Sequence, residues 1–336
     1  MRRLRDIMYG AAAGLIKRFR FYVSWQGLFY FSTYKNRKIV KMTGVGNREG
    51  GVLFYPSVYH FLHNLPSLFH KRKHDYLVAQ NFLHHEFVLF QKAKLFFTLE
   101  PLPAMTEETR RNIQSEVLKP SLYLYNEPDI NRRMFYPALA NGRAKTLSLL
   151  ERNLTERRSR LCCIINRYSE RPELNLLRER IRFVEAMGKD IDIYGAEPWG
   201  GQRNKWVTFP NYCGTAEDKQ KTLRRYNFIL AFENCDLPGY ITEKMLDAFR
   251  SGAVPLYWGG GAFVKETFPS DCYIDCRDQD PARIFRMIKD MSQEEIVSFR
   301  KAAIRFLASD SADRFTGRYL RQQLMKRLLG EIKKES

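Results

Sequence analysis

The C-terminal half of the chain alternates two hydrophobic patterns. Short continuous apolar runs, "LCCII" (161–165), "DIDIYG" (190–195), "NFILAFE" (227–233) and "AVPLYWG" (253–259), read as buried strands. Between and after them lie "LNLLRERIRFVEAM" (174–187), "EDKQKTLRRY" (217–226), "ITEKMLDAFRSG" (241–252) and "PARIFRMIKD" (281–290), whose apolar residues recur at helical spacing. Strands alternating with helices predict a parallel sheet covered on both faces. The N-terminal half repeats the theme more weakly. "KIVKM" (38–42), "DYLVAQ" (75–80), "AKLFFTLE" (93–100) and "SLYLY" (121–125) are strand candidates, and "MTEETRRNIQSEV" (105–117) is a helix candidate. The polar stretch 141–160 marks a boundary. The expected division is residues 1–150, residues 158–310, and a basic amphipathic C-terminal helix over 311–336.

A length of 336 residues suits two such domains. With 44% hydrophobic and 28% charged residues the chain reads as globular. The formal charge of +19 points to anionic partners. Much of it sits at the ends: Arg2, Arg3, Arg5, Lys17, Arg18 and Arg20 at one, and Arg318, Arg321, Lys326, Arg327, Lys333 and Lys334 at the other. Basic residues mixed with Leu, Phe and Trp suit docking on an anionic membrane surface. The apolar run Ile7–Ile16 is about half the ~20 residues that span a bilayer, and no small-residue cleavage site follows it. A cytoplasmic protein, peripheral on the inner face of the cell membrane, is the expectation. A nucleic-acid or membrane binding module without catalysis is the alternative from another class, but basic residues interleaved with aromatics along one face are not found, so no nucleic acid is expected.

Candidate metal and thiol chemistry adds little. The six cysteines form no C-x-x-C pair and are expected free. The histidines all fall between His60 and His85, without Cys or carboxylate partners at a zinc spacing. Gly44 and Gly46 lack the remainder of a phosphate loop. Asp190 and Asp192 form a D-x-D string that reads as the start of a strand rather than a cation site.

The segment "AFENCDLPGYITEKMLDAFRSGAVPLYWG" (231–259) carries the chemistry. A buried strand ends at Glu233 and Asn234, where ligands gather in open α/β sheets. The turn 236–239 leads through Tyr240 to a helix that Thr242 caps or begins, with Glu243 and Lys244 in its first turn. A helix N-terminus and a lysine suit an anion, and carboxylates suit ligand hydroxyls. A sugar nucleotide offers both.

This segment closely resembles the signature of α-1,3/1,4-fucosyltransferases, glycosyltransferase family 10, of the bacterial type. The matching positions are Phe228, Leu230, Phe232, Glu233, Asn234, Tyr240, Thr242, Glu243, Lys244, Ala253, Val254, Pro255 and Gly259. "RIRFVEAM" before "DIDIYG" is similar to the family's R-x-x-[YF] helix, and there Arg180 takes the place of an arginine that contacts the donor diphosphate. "FFTLEP" is similar to the family's F-[YF]-T-G-E-N strand, which makes Glu100 the implied general base, although Leu99 and Pro101 depart from that pattern. The resemblance is thin over 94–100 and covers about 161–278 well. It implies the GT-B fold, with two Rossmann-like domains facing a central cleft, and an inverting transfer of fucose from GDP-fucose to a glycan hydroxyl. It implies no metal for donor activation. The implied donor-binding set is Arg180, Glu233, Asn234, Tyr240, Glu243 and Lys244. A related transferase using another nucleotide sugar is the alternative. The expected setting is synthesis of surface polysaccharide or lipopolysaccharide.

Overall fold

The computed structural model describes residues 135–136, 138–139, 143–170, 174–196, 203–320 and 322–323, together with the backbone of five N-terminal strands. The chain divides into two units, Met1–Tyr125 with Gln323–Ser336, and Asn126–Gln322.

The first unit holds β1 (Leu28–Thr33), β2 (Lys38–Gly44), β3 (Tyr76–Gln80), β4 (Lys94–Phe97) and β5 (Leu122–Leu124). They form one sheet in the order β1-β2-β3-β4-β5. Only β1 is antiparallel to its neighbour; the other pairs are parallel. Four of these strands coincide with the runs expected from sequence, and β1 was not foreseen. Glu100 lies outside the described residues, as do the expected helix 105–117, the His60–His85 segment and the basic ends 1–20 and 324–336.

The second unit holds a second sheet. Its strands are β6 (Arg160–Ile165), β7 (Ile191–Tyr194), β8 (Tyr226–Leu230), β9 (Val254–Tyr257) and β10 (Ile274–Asp275). All pairs are parallel, in the order β10-β9-β8-β6-β7. The helices are α1 (Ala144–Arg152), α2 (Leu177–Met187), α3 (Lys219–Leu223), α4 (Lys244–Ser251), α5 (Val264–Thr267), α6 (Pro281–Asp290) and α7 (Gln293–Ala308).

The continuous apolar character of these strands follows from burial on both faces. Alternate residues of a strand point to opposite sides. Cys162 and Ile164 of β6 join Phe228, Val254, Phe183 of α2 and Ile284 of α6 in one core. Cys163 joins Ile229, Tyr257, Phe249 of α4 and Phe306 of α7 in the other. None of the six cysteines forms a disulfide, and all but Cys213 are buried. No helix among the described residues is long and apolar enough to cross a membrane.

Three boundaries differ from the sequence reading. The stretch 141–160 contains α1, whose Leu150 is buried in the second unit's core with Leu147 packed against it. The unit boundary therefore falls before this helix, near residue 125 rather than 150. Asp310–Phe315, read as the start of an amphipathic helix, is a 3₁₀ turn. Its Phe315 stacks on Phe268 in the core. Finally, α7 was not foreseen, although Ser292 and Glu295 form a reciprocal capping box at its start.

Candidate functional site

In the second sheet the chain begins at β6, moves outward to β7, and returns to the other side of β6 as β8. The crossovers after β6 and after β8 thus leave in opposite directions. That opens a crevice beyond the carboxyl ends of β6 and β8, the place where open α/β sheets take their ligands. A cavity of about 340 Å³, counting the space open to solvent, lies there. Ile165 and Asn166 from the end of β6 line it, with Leu230 and Phe232 from the end of β8. Arg180, Lys219, Lys244 and Asp247 line it too.

Arg180 joins the two strand ends. It is 4% exposed. Its Nη1 donates to Asn166 Oδ1 (3.1 Å). Its Nη2 donates to the carbonyls of Phe232 (2.5 Å) and Glu233 (2.7 Å) and to Asn234 Oδ1 (3.2 Å). Burial lowers its pKa to about 10, although Glu233 opposes the fall. It therefore stays charged at neutral pH, and much of its hydrogen bonding goes to the protein itself.

Glu233 is the internal anion of the site. It is fully buried. Oε1 accepts from the Thr242 backbone N–H (2.7 Å) and the Tyr257 hydroxyl (3.1 Å). Oε2 accepts from the Thr242 hydroxyl (2.7 Å) and from Lys244 Nζ (2.8 Å). A carboxylate so enclosed holds the chain in place and has no surface to offer a ligand hydroxyl. Burial, reinforced by Glu233, pushes the Tyr257 hydroxyl's pKa well up. Thr242 is not the helix cap expected: Glu243 occupies that position, without a side-chain cap bond. The Thr242 hydroxyl instead links Glu233 to Lys244, from whose Nζ it accepts at 2.8 Å.

The charges that reach solvent are Lys244, Glu243 and Lys219, with side chains 16%, 31% and 39% exposed. Glu243 lies 3.8 Å from each lysine. Burial disfavours its charge, but Lys244 and Lys219 outweigh that and hold its carboxyl down at about 2. Burial likewise opposes the charge on Lys244, and Glu233 and Glu243 more than restore it, so its pKa is raised. Lys219 is raised in the same way by Asp247, 2.6 Å away, and by Glu243. All three groups are ionised at neutral pH.

The turn after β8 is fixed separately. Asp236 accepts a two-pronged ion pair from Arg277, whose Nη2 is 3.0 Å from Oδ1. It also accepts from Trp258 Nε1 and the Gly261 backbone N–H, both at 3.1 Å. Burial disfavours the Asp236 charge, yet Arg277 and Trp258 keep its pKa low. Gly239 takes φ +76° in this turn, a conformation that favours glycine. At Gly259 a Cβ would stand 2.4 Å from Glu233 Cγ, so only glycine lets Glu233 lie as it does.

The six residues expected to bind a donor thus converge. Arg180, Glu233, Asn234, Tyr240, Glu243 and Lys244 surround the end of β8, and Asn234 Nδ2 donates to the Tyr240 hydroxyl (3.5 Å). Tyr240 is itself buried. The sequence reading missed Asn166, Lys219, Asp247, Asp236 and Arg277. The D-x-D aspartates lie elsewhere: Asp190 accepts from Lys289 (3.3 Å), and Asp192 from Arg160 and from the Tyr226 hydroxyl (2.5 Å). Among the described residues no three His, Cys, Asp or Glu side chains gather as a metal site.

Residues 155–299 match the family described as Glycosyltransferase family 10 (fucosyltransferase) C-term. The chain is 42% identical over 53 residues to the alpha-(1,3)-fucosyltransferase FucT of Helicobacter pylori, covering 16% of this chain and 11% of that protein. It is 28% identical over 116 residues to the 4-galactosyl-N-acetylglucosaminide 3-alpha-L-fucosyltransferase 9 of Bos taurus, covering 34% of this chain and 30% of that one. The chain therefore matches less than a third of the length of either relative. A crystal structure of an alpha1,3-fucosyltransferase with GDP-fucose is similar over 76% of this chain and 78% of that one, with 16% identity and TM-score 0.42.

Proposed function

Because residues 155–299 belong to glycosyltransferase family 10, we propose that the chain transfers fucose from GDP-fucose to a hydroxyl of a glycan acceptor, inverting the anomeric configuration. The observation that carries this reading is the cavity at the β6/β8 switch point, where Arg180, Lys219 and Lys244 converge. A leaving nucleoside diphosphate gains negative charge as its bond to the sugar breaks, and preorganised cations there lower the barrier. Lys244 and Lys219 supply ammonium groups on partly exposed side chains. Arg180 adds a fixed positive field from below and holds the two strand ends at their spacing. The α4 N-terminus lies beside them. Glu243, ionised and partly exposed, is the carboxylate for sugar hydroxyls. These residues make a metal unnecessary for charge stabilisation.

Glu100, three positions beyond the end of parallel strand β4, is the proposed general base that takes the proton of the acceptor hydroxyl. The proposed acceptor is a cell-surface polysaccharide or lipopolysaccharide, built on the cytoplasmic face of a membrane to which the basic ends hold the protein.

Calorimetric titration of the purified chain with GDP-fucose, GDP-mannose and UDP-glucose tests the donor. GDP-fucose is expected to bind most tightly. Lys244→Ala is expected to weaken it about ten- to hundredfold through loss of a charge-assisted contact. Glu100→Gln is expected to leave donor affinity intact and lower kcat by roughly 10²–10⁴. Binding of UDP-glucose in preference to GDP-sugars, or unchanged donor affinity in Lys244→Ala, would overturn the donor assignment.

A further inference from the structure

Helix α4 begins at the charged cluster just described and ends at Ser251, beside a second cavity of about 380 Å³, counting the space open to solvent. Arg158, Arg224 and Arg300 line it, together with Asn153, Glu156 and Ser251. Arg158 caps the helix from below: Nη2 donates to the Ser251 carbonyl and Nη1 to the Tyr226 carbonyl, both at 2.7 Å. Arg300, on α7 and 3% exposed, donates through Nη1 to the carbonyls of Leu154 (3.1 Å) and Glu156 (2.8 Å). Its Nη2 donates to Asn227 Oδ1 (3.0 Å).

Every one of these acceptors is neutral. Among the described residues, neither Arg158 nor Arg300 forms an ion pair with a carboxylate. Glu156 is the sole acid lining the cavity, and it is exposed. Moreover, Nε of Arg158 and Nε of Arg300 are both buried without a hydrogen-bond acceptor. A buried donor left unmet is costly, and guanidinium groups crowded without an anion repel one another. Burial, then Arg300, pulls the Arg158 pKa down to about 9. The Arg224 side chain, exposed at the end of α3, adds a third positive charge to the same cavity.

We propose that this cavity binds a small inorganic anion, of the size of chloride or orthophosphate, on Arg158, Arg224 and Arg300. The anion would accept from the two unmet Nε–H donors and neutralise the cluster. It would tie the end of α4 to α7 and to the segment 153–158, at the opposite end of α4 from Lys244. The site is separate from the donor cavity and does not depend on the activity proposed for it.

Thermal unfolding of the full chain at constant ionic strength tests this, with gluconate replaced stepwise by chloride or by phosphate. Gluconate is too large and too weakly coordinating to substitute. A saturable rise in Tm is expected, about 5 °C or more at a concentration a hundredfold above the dissociation constant. Which anion saturates first identifies the occupant. Arg224→Gln changes an exposed side chain and leaves the fold intact; it should move the midpoint about tenfold to higher anion concentration. Arg158→Lys keeps the charge but removes the planar donor set, and should abolish saturation. A rise that grows steadily without saturating is the general effect of excluded salts and would overturn the proposal. So would a saturable rise that Arg224→Gln and Arg158→Lys both leave unchanged.

Discussion

Glu233→Gln is the perturbation that bears most directly on how the site is held. The two side chains have nearly the same volume, so packing is preserved. The hydrogen bonds are not. All four partners of Glu233 donate to it: the Thr242 N–H and Tyr257 hydroxyl on Oε1, and the Thr242 hydroxyl and Lys244 Nζ on Oε2. A glutamine must turn its NH₂ to one side. On the Oε1 side it opposes the Thr242 N–H. On the Oε2 side it opposes the Lys244 ammonium. In either orientation a buried donor faces a donor, and Lys244 loses its closest counter-ion. Breaking a buried pair costs about 3–5 kcal/mol. Lys244 is 16% exposed and keeps Glu243 at 3.8 Å, so the expected loss is about 2–4 kcal/mol. At roughly 2–4 °C per kcal/mol for a domain of this size, Tm should fall by about 4–16 °C.

The assay is a double-mutant cycle by urea or thermal unfolding, with Lys244→Met as the second change. Methionine keeps much of the apolar stem and removes the charge. If the pair interacts as the 2.8 Å contact implies, the double variant is less destabilised than the sum of the singles by about 1–3 kcal/mol. Additivity within about 0.5 kcal/mol would refute the coupling, and an unchanged Tm in Glu233→Gln would refute the buried network itself.

Gly259→Ala puts a Cβ 2.4 Å from Glu233 Cγ; a loss of about 1–3 kcal/mol and weaker donor binding are expected in unfolding and calorimetric titrations. The depressed Glu243 pKa means that its stabilising contribution is complete above 4.5, its ordinary value, and is lost as pH falls toward about 2; in Glu243→Gln, Tm between pH 4.5 and 2 should fall less steeply than in the parent. Lys219→Met should weaken GDP-fucose binding about tenfold, measured by calorimetry, with kcat less affected. Transfer activity should survive exhaustive chelation by EDTA, and a loss restored by Mn²⁺ would return Asp190 and Asp192 to consideration.

Much of the second unit was readable because its strands are buried on both faces. A continuous run such as "NFILAFE" announces such a strand, and β6 to β9 overlap the expected runs, β6 and β8 each starting one residue earlier. Where burial is one-sided the pattern is fainter. In α1, Leu150 is the one buried residue, so the segment reads as polar and as a boundary, although it packs within the unit. At α7 the capping signal was present in Ser292 and Glu295, but no strand precedes it to draw the eye. That the six residues expected to bind a donor lie together was legible because they are near in sequence or anchored by a recognisable helix. Their division of labour was not. Whether a carboxylate at a strand end faces ligand or protein depends on what folds over it. Thr242, Tyr257 and Lys244 enclose Glu233, while Glu243 stays at the surface between two lysines.

The same logic bears on Arg180. A helix arginine among arginine neighbours is ordinarily solvated, and a ligand contact ordinarily requires exposure. Here the guanidinium is buried and bonded to both strand ends flanking the crevice. An arginine is never deprotonated at neutral pH, so its charge persists beneath the crevice whether or not it touches a ligand. Lys244 and Lys219 line the same cavity, each balanced by a carboxylate. Balanced charges keep the cavity from repelling itself apart, while both lysine side chains stay partly exposed. A buried cation that fixes the strand ends, with two partly exposed lysines lining the same cavity, concentrates positive charge at the crevice, a combination that three exposed lysines would not provide.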